Sequence, residues 1–191
     1  GMIHLYSPAT GEIYNGLLPR IQQWCEERKY KILLEKNDWY GNLNDDNNLI
    51  TPPGIKSFMD KICKVDQRDY QYFTVYKALK NNRGLFVSPT GSGKSLMIYS
   101  IVRYYAATSK KTLIVVPTPS LVEQMVKDFT NYGWDAEHYM HKIYSGKDKS
   151  TDKHIIISTW QSIYKFPKRY FDDIDCVLGD EAHLFKAKSL T

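Results

Sequence analysis

An α/β fold with a mostly parallel sheet covered by helices is predicted for this 191-residue chain by three observations. Four apolar runs, Leu85–Val87, Thr112–Val116, Ile155–Ile157 and Cys176–Leu178, lack polar alternation, as strands buried on both faces do. Stretches with helical apolar spacing, roughly 10–15 residues long, separate strands in this way when a sheet is parallel. The first and last runs end in turns that carry chemistry, Gly91–Gly93 and Gly179–Glu181.

The N-terminal part, residues 2–65, is expected to be a small α/β accessory segment. Ile3–Tyr6 predicts a strand and Pro8-Ala9-Thr10-Gly11 a turn. Leu17–Arg28 carries Leu17, Ile21, Trp24 and Cys25 at helical spacing, with Pro19 in the first turn. Lys31–Glu35 predicts a strand, and residues 36–54, rich in Asn, Asp, Gly and Pro, a loop. Ile55, Phe58, Met59 and Ile62 then mark a helix whose first turn follows Pro53.

Residues 66–191 form the second expected domain. Asp66 can cap a helix running to about Asn82, with Arg83-Gly84 ending it. The Leu85–Val87 strand leads through the glycine turn into a helix from Lys94, marked by Leu96, Met97, Ile98, Ile101, Val102 and Tyr105. After Thr112–Val116, Ser120 with Glu123 predicts a capping box for a helix through Phe129. Ile155–Ile157 ends at Ser158-Thr159-Trp160-Gln161, and Cys176–Leu178 is the last strand.

Bulk properties narrow the function classes. No apolar run approaches the length of a membrane span and the N-terminus lacks a signal-peptide pattern, so no membrane partner and a cytoplasmic location are expected. Three widely spaced cysteines without metal-ligand spacing predict reduced thiols. Charge is uneven: residues 1–66 hold 8 Lys/Arg against 9 Asp/Glu, and residues 67–191 hold 18 against 12. A polyanionic partner therefore belongs with the second domain.

Ser88-Pro89-Thr90-Gly91-Ser92-Gly93-Lys94-Ser95 follows the spacing of a phosphate-binding loop, with Ser88 where that pattern has its first glycine. Gly91 and Gly93 let backbone N–H groups approach phosphate oxygens, with Thr90 and Ser92 in the same cradle, and the helix N-terminus adds partial positive charge. Lys94 is placed to reach the β and γ phosphates of ATP, and the Ser95 hydroxyl to ligate Mg²⁺. At the carboxyl end of the last strand, Asp180 is placed to hold the same Mg²⁺, and Glu181 to orient the attacking water.

Residues 88–95 together with Asp180-Glu181-Ala182-His183 resemble motifs I and II of superfamily 2 helicases and translocases, in the DEAH spelling. Arg68-Asp69-Tyr70-Gln71 resembles the family's adenine-reading motif, in which Arg68 and Gln71 would serve the nucleotide. Residues 116–124 resemble motif Ia, and Ser158-Thr159-Trp160-Gln161 the next nucleic-acid-contacting motif; the resemblance implies backbone contacts from Pro117, Thr118, Thr159 and Gln161. It also implies a RecA-like lobe, a coupling role for His183 between lobes, and DNA as partner, with RNA possible. Within the superfamily, Leu17-Leu18-Pro19 before the 21–30 helix, Asp69-Tyr70-Gln71 and Thr159-Trp160-Gln161 are most similar to phage recombination and repair helicases. The chain ends at Thr191, so a second RecA-like lobe and its arginine are expected to lie outside it, and the chain alone to be nearly inactive. The expected function is the ATP-binding part of a DNA helicase or translocase acting on branched DNA. Restriction-enzyme motors, RNA helicases and non-catalytic nucleotide-gated binding modules are the alternatives.

Overall fold

A computed structural model of the chain describes residues 7–11, 13, 17–33, 50–145 and 151–184. Its contacts divide the chain into two compact units, residues 1–45 and residues 46–190.

In the first unit, the Pro8–Thr10 turn is closed by the Gly11 N–H donating to the Ser7 carbonyl at 2.8 Å. Helix α1 (Leu18–Glu27) has a proline in its first turn, where the missing N–H costs nothing. Trp24 stacks on Tyr30 at 5.6 Å, and the Arg28 guanidinium lies 4.4 Å from the indole centre. Residues 31–33 form no strand, and Leu33 is exposed. The remainder of that expected strand, the expected Ile3–Tyr6 strand and most of the 36–54 loop fall outside the described residues.

The second unit runs α2 (Pro52–Ile62), α3 (Asp69–Asn81), α4 (Lys94–Ala107), β1 (Thr112–Val116), α5 (Pro119–Asn131), α6 (Ala136–Tyr139), β2 (Met140–Ile143), β3 (Ile155–Thr159), α7 (Trp160–Ile163) and β4 (Cys176–Gly179). The strands pair in the order β2-β3-β1-β4, all parallel. Alternate residues of the central strands serve opposite faces. Ile114, Val116, Ile155 and Ile157 pack with Leu96, Tyr99 and Val102 of α4 and Val122, Met125, Val126 and Phe129 of α5. Leu113 and Ile156 turn to the other side, toward Ile143, Ile163 and Phe166. Burial on both faces is why these strands read as unbroken β-branched runs. Ile55 and Met59 of α2 join Val75, Leu79, Met97 and Ile101 in a separate core between α2, α3 and α4.

Local expectations are corrected in four places. Leu85–Val87 takes no regular structure and pairs with no strand among the described residues, and its side chains lie open, Leu85 at 80% and Val87 at 93% exposure. An apolar run becomes a strand only with a ladder partner, and the sheet described here supplies none. Helix α2 begins at Pro52 because Thr51 caps it, accepting the Gly54 N–H at 3.2 Å. Helix α3 begins at Asp69, with Arg68 at the cap in place of Asp66: the Gln71 side chain accepts the Arg68 N–H at 2.8 Å. Helix α5 is capped by Thr118, whose hydroxyl accepts the Leu121 N–H, while Glu123 turns away to pair with Lys142 at 3.0 Å. Strand β2 was not predicted, since Met140-His141-Lys142-Ile143 has polar residues between two buried ends.

Candidate nucleotide-binding site

The parallel register brings three loops to one edge of the sheet. Val116 of β1 lies beside Thr159 of β3, and Val115 beside Gly179 of β4. The segments starting at Pro117, Trp160 and Asp180 therefore leave the same carboxyl edge, where open α/β sheets bind ligands.

At the β4 end the Asp180 N–H donates to the Val115 carbonyl at 2.9 Å, which holds this loop to β1. Burial pushes the Asp180 carboxyl above its ordinary range and the Glu181 charge adds to this, while the Glu181 N–H and the Lys94 ammonium pull it back. Glu181 takes a left-handed backbone conformation, φ 52°, which for a residue with a side chain costs on the order of 1–3 kcal/mol. That turn presents its carboxylate to the Lys94 ammonium and the His183 ring. Lys94 Nζ lies 3.0 Å from Oε1, and His183 Nδ1 lies 3.4 Å from Oε2. The half-buried Asp180 carboxylate and the Ser95 hydroxyl are hard oxygen donors, a set that fits Mg²⁺.

The glycine turn is closed by its own hydroxyls. Ser88 Oγ donates to Ser92 Oγ at 2.5 Å, and the Ser92 N–H to the Pro89 carbonyl at 3.3 Å. Thr90 and Gly91 are exposed and Ser92 is buried. Gly93 has φ 78°, where any side chain is strained, and a Cβ there would displace Gln71 Nε2, 2.3 Å away.

The start of α3 clamps this turn. Gln71, 4% exposed, donates from Nε2 to the Ser92 carbonyl at 2.9 Å while its Oε1 holds the Arg68 N–H. The expectation that Gln71 presents its amide to an adenine edge is therefore not met by the side chain as it stands, because both ends of the amide are engaged within the chain. Arg68 donates to the Tyr70 hydroxyl at 3.3 Å, and Tyr70 donates to the same Ser92 carbonyl at 2.7 Å. Tyr70 was missed from the sequence, although it sits inside the motif quoted for Gln71.

The residues expected at a nucleic acid divide by exposure. Thr118 and Gln161 are exposed, whereas Pro117 is buried and Thr159 is 3% exposed with its hydroxyl 2.9 Å from Ser162 Oγ. Pro117 and Thr159 thus lie beneath the surface of the two loops, and Thr118 and Gln161 face outward at this edge.

Known proteins resemble this chain in sequence and in fold. The chain is 29% identical over 194 residues to the ATP-dependent DNA helicase uvsW of Enterobacteria phage T4, an alignment covering 93% of this chain and 38% of that protein. It is 34% identical over 119 residues to the DNA 3'-5' translocase XPB2 of Sulfurisphaera tokodaii, covering 58% of this chain and 25% of the other. The chain therefore spans well under half the length of either relative. The crystal structure of the UvsW helicase from bacteriophage T4 superposes with a TM-score of 0.84 at 27% identity, over 98% of this chain and 68% of that one. The α/β fold predicted from the sequence is thus shared with that solved structure. Residues 64–191 match the ResIII family model, described as the type III restriction enzyme res subunit, and the chain belongs to that family.

Proposed function

We propose that residues 88–95 and 180–183 form the Mg–ATP site of a DNA-dependent motor, a helicase or translocase acting on recombination or repair DNA. The observation that carries this reading is the 3.0 Å Lys94–Glu181 ion pair. It brings the phosphate-binding lysine and the water-orienting glutamate onto one another from opposite ends of the domain. A γ-phosphate drawn to Lys94 displaces Glu181, whose carboxylate is then free to accept a proton from water. Mg²⁺, held by Ser95 and Asp180, would neutralise charge on the β and γ phosphates. Gln71 reads adenine in this account only after releasing the Ser92 carbonyl, with Tyr70 retaining the turn.

The DNA reading rests on the relatives and on the exposed Thr118 and Gln161 at the same edge. Two arginines of this domain are engaged within it. Arg103 donates to the Tyr99 hydroxyl at 2.7 Å and Arg68 to Tyr70. A second lobe would supply a further cation, a contribution on the order of 10³–10⁵ in rate. The test is phosphate release by residues 1–191, alone and joined to a second RecA-like lobe, with and without branched DNA. Trace turnover alone and DNA-stimulated turnover when joined are expected. DNA affinity of the chain should be weak, fall steeply with salt, and drop uniformly across sequences on Thr118→Ala. Tight sequence-specific binding that persists in high salt contradicts a motor lobe.

A further inference from the structure

The Ser95 hydroxyl oxygen lies 2.8 Å from the Tyr132 hydroxyl, a residue 37 positions away at the end of α5. The phosphate-loop pattern does not call for a phenol there. Tyr132 is held in place by its surroundings. Its carbonyl accepts the Lys64 N–H at 3.0 Å, and its N–H donates to the Asp128 carbonyl at 2.9 Å. Its ring packs edge-on against the fully buried Tyr99, 5.4 Å between centres.

A serine hydroxyl has one proton and two lone pairs. When it gives a lone pair to a divalent cation, its proton needs an acceptor directed away from the metal. Partners that orient a metal ligand in this way govern how well it binds. We propose that Tyr132 is that partner: its hydroxyl oxygen accepts the Ser95 proton in the metal-bound state and holds the Ser95 lone pairs toward the cation. In the metal-free state either hydroxyl can donate, so the change on binding is a rotation of two O–H bonds with no movement of heavy atoms. The inference rests on the nucleotide reading above. It makes Tyr132 a positioning residue that acts through Ser95. It also ties the far end of α5 to the site, while the other end of that helix carries the exposed Thr118 cap.

The test uses a fluorescent methylanthraniloyl-ADP, titrated in EDTA and again in excess MgCl₂, so that no turnover is involved. Tyr132→Phe keeps the ring against Tyr99 and removes only the hydroxyl; its far-UV CD and thermal melt check the fold. Affinity in EDTA should match wild type, while the tightening produced by Mg²⁺ should shrink about three- to tenfold. In a Ser95→Ala background, where no proton remains to accept, Tyr132→Phe should have no further effect. Undiminished Mg²⁺ tightening in Tyr132→Phe overturns the proposal, and so does an equal loss in both backgrounds. Failure of the nucleotide reading looks different: Lys94→Ala would then bind the probe as well as wild type does.

Discussion

Glu181→Gln is expected to cut the hydrolysis of bound ATP by about 10²-fold or more, the range for loss of a positioned proton acceptor. The amide cannot take a proton from water, while the turn that carries it keeps its shape. The structure adds a second consequence. Glu181 occupies Lys94 in the nucleotide-free state. Both side chains are about 30% exposed, so the pair is partly screened and only modestly favourable. Neutralising Glu181 releases Lys94 for phosphate, and ATP should bind about two- to fivefold tighter. Single-turnover hydrolysis of radiolabelled ATP, followed over hours beside a filter-binding titration, reads both. Slower hydrolysis with weaker binding would mean that Glu181 supports the fold of the site and does not serve the water.

Phe129→Ala is expected to remove about 3–5 kcal/mol of stability, a large part of what a domain of this size has to lose. Phe129 is fully buried on α5 beneath the sheet. It meets Tyr99 edge-to-face at 5.2 Å and lies 6.4 Å from the Trp134 ring. Truncation leaves a cavity among rings that cannot collapse onto a methyl group. Equilibrium urea unfolding should show a lower midpoint with an unchanged slope. A loss below about 1 kcal/mol would mean that α5 is not packed on α4 as described.

What could be read from the sequence depended on whether a residue's role is local. β1 and β3 were legible because a strand buried on both faces is an uninterrupted apolar run; β4 carries the same apolar signal, although Val177 is 61% exposed. The same signal misled at Leu85–Val87, since pairing is a property of two segments. β2 was illegible because Lys142 is claimed by Glu123 and Glu137 on neighbouring helices, which hides its strand behind a polar pattern. In the candidate site, the spacing within each loop singled out Lys94, Ser95, Asp180 and Glu181, and the structure brings Lys94 and Glu181 together at 3.0 Å. The Ser92 carbonyl as the meeting point of Tyr70 and Gln71 was not, and neither was Tyr132 at Ser95. Those contacts join elements far apart in the chain and leave no periodic trace. The burial of Pro117 and Thr159 was equally hidden, since a motif's spelling does not say which of its side chains faces outward.

If the 88–95 turn and the β4 end make one nucleotide site, Lys94 stands at its centre. Its most direct measurement is the affinity of the methylanthraniloyl nucleotide, in Mg²⁺, for wild type and for Lys94→Ala. Removing charge-assisted hydrogen bonds from the β and γ phosphates should weaken binding about 10- to 150-fold, with an unchanged far-UV CD spectrum. Equal binding by the two proteins would contradict the account.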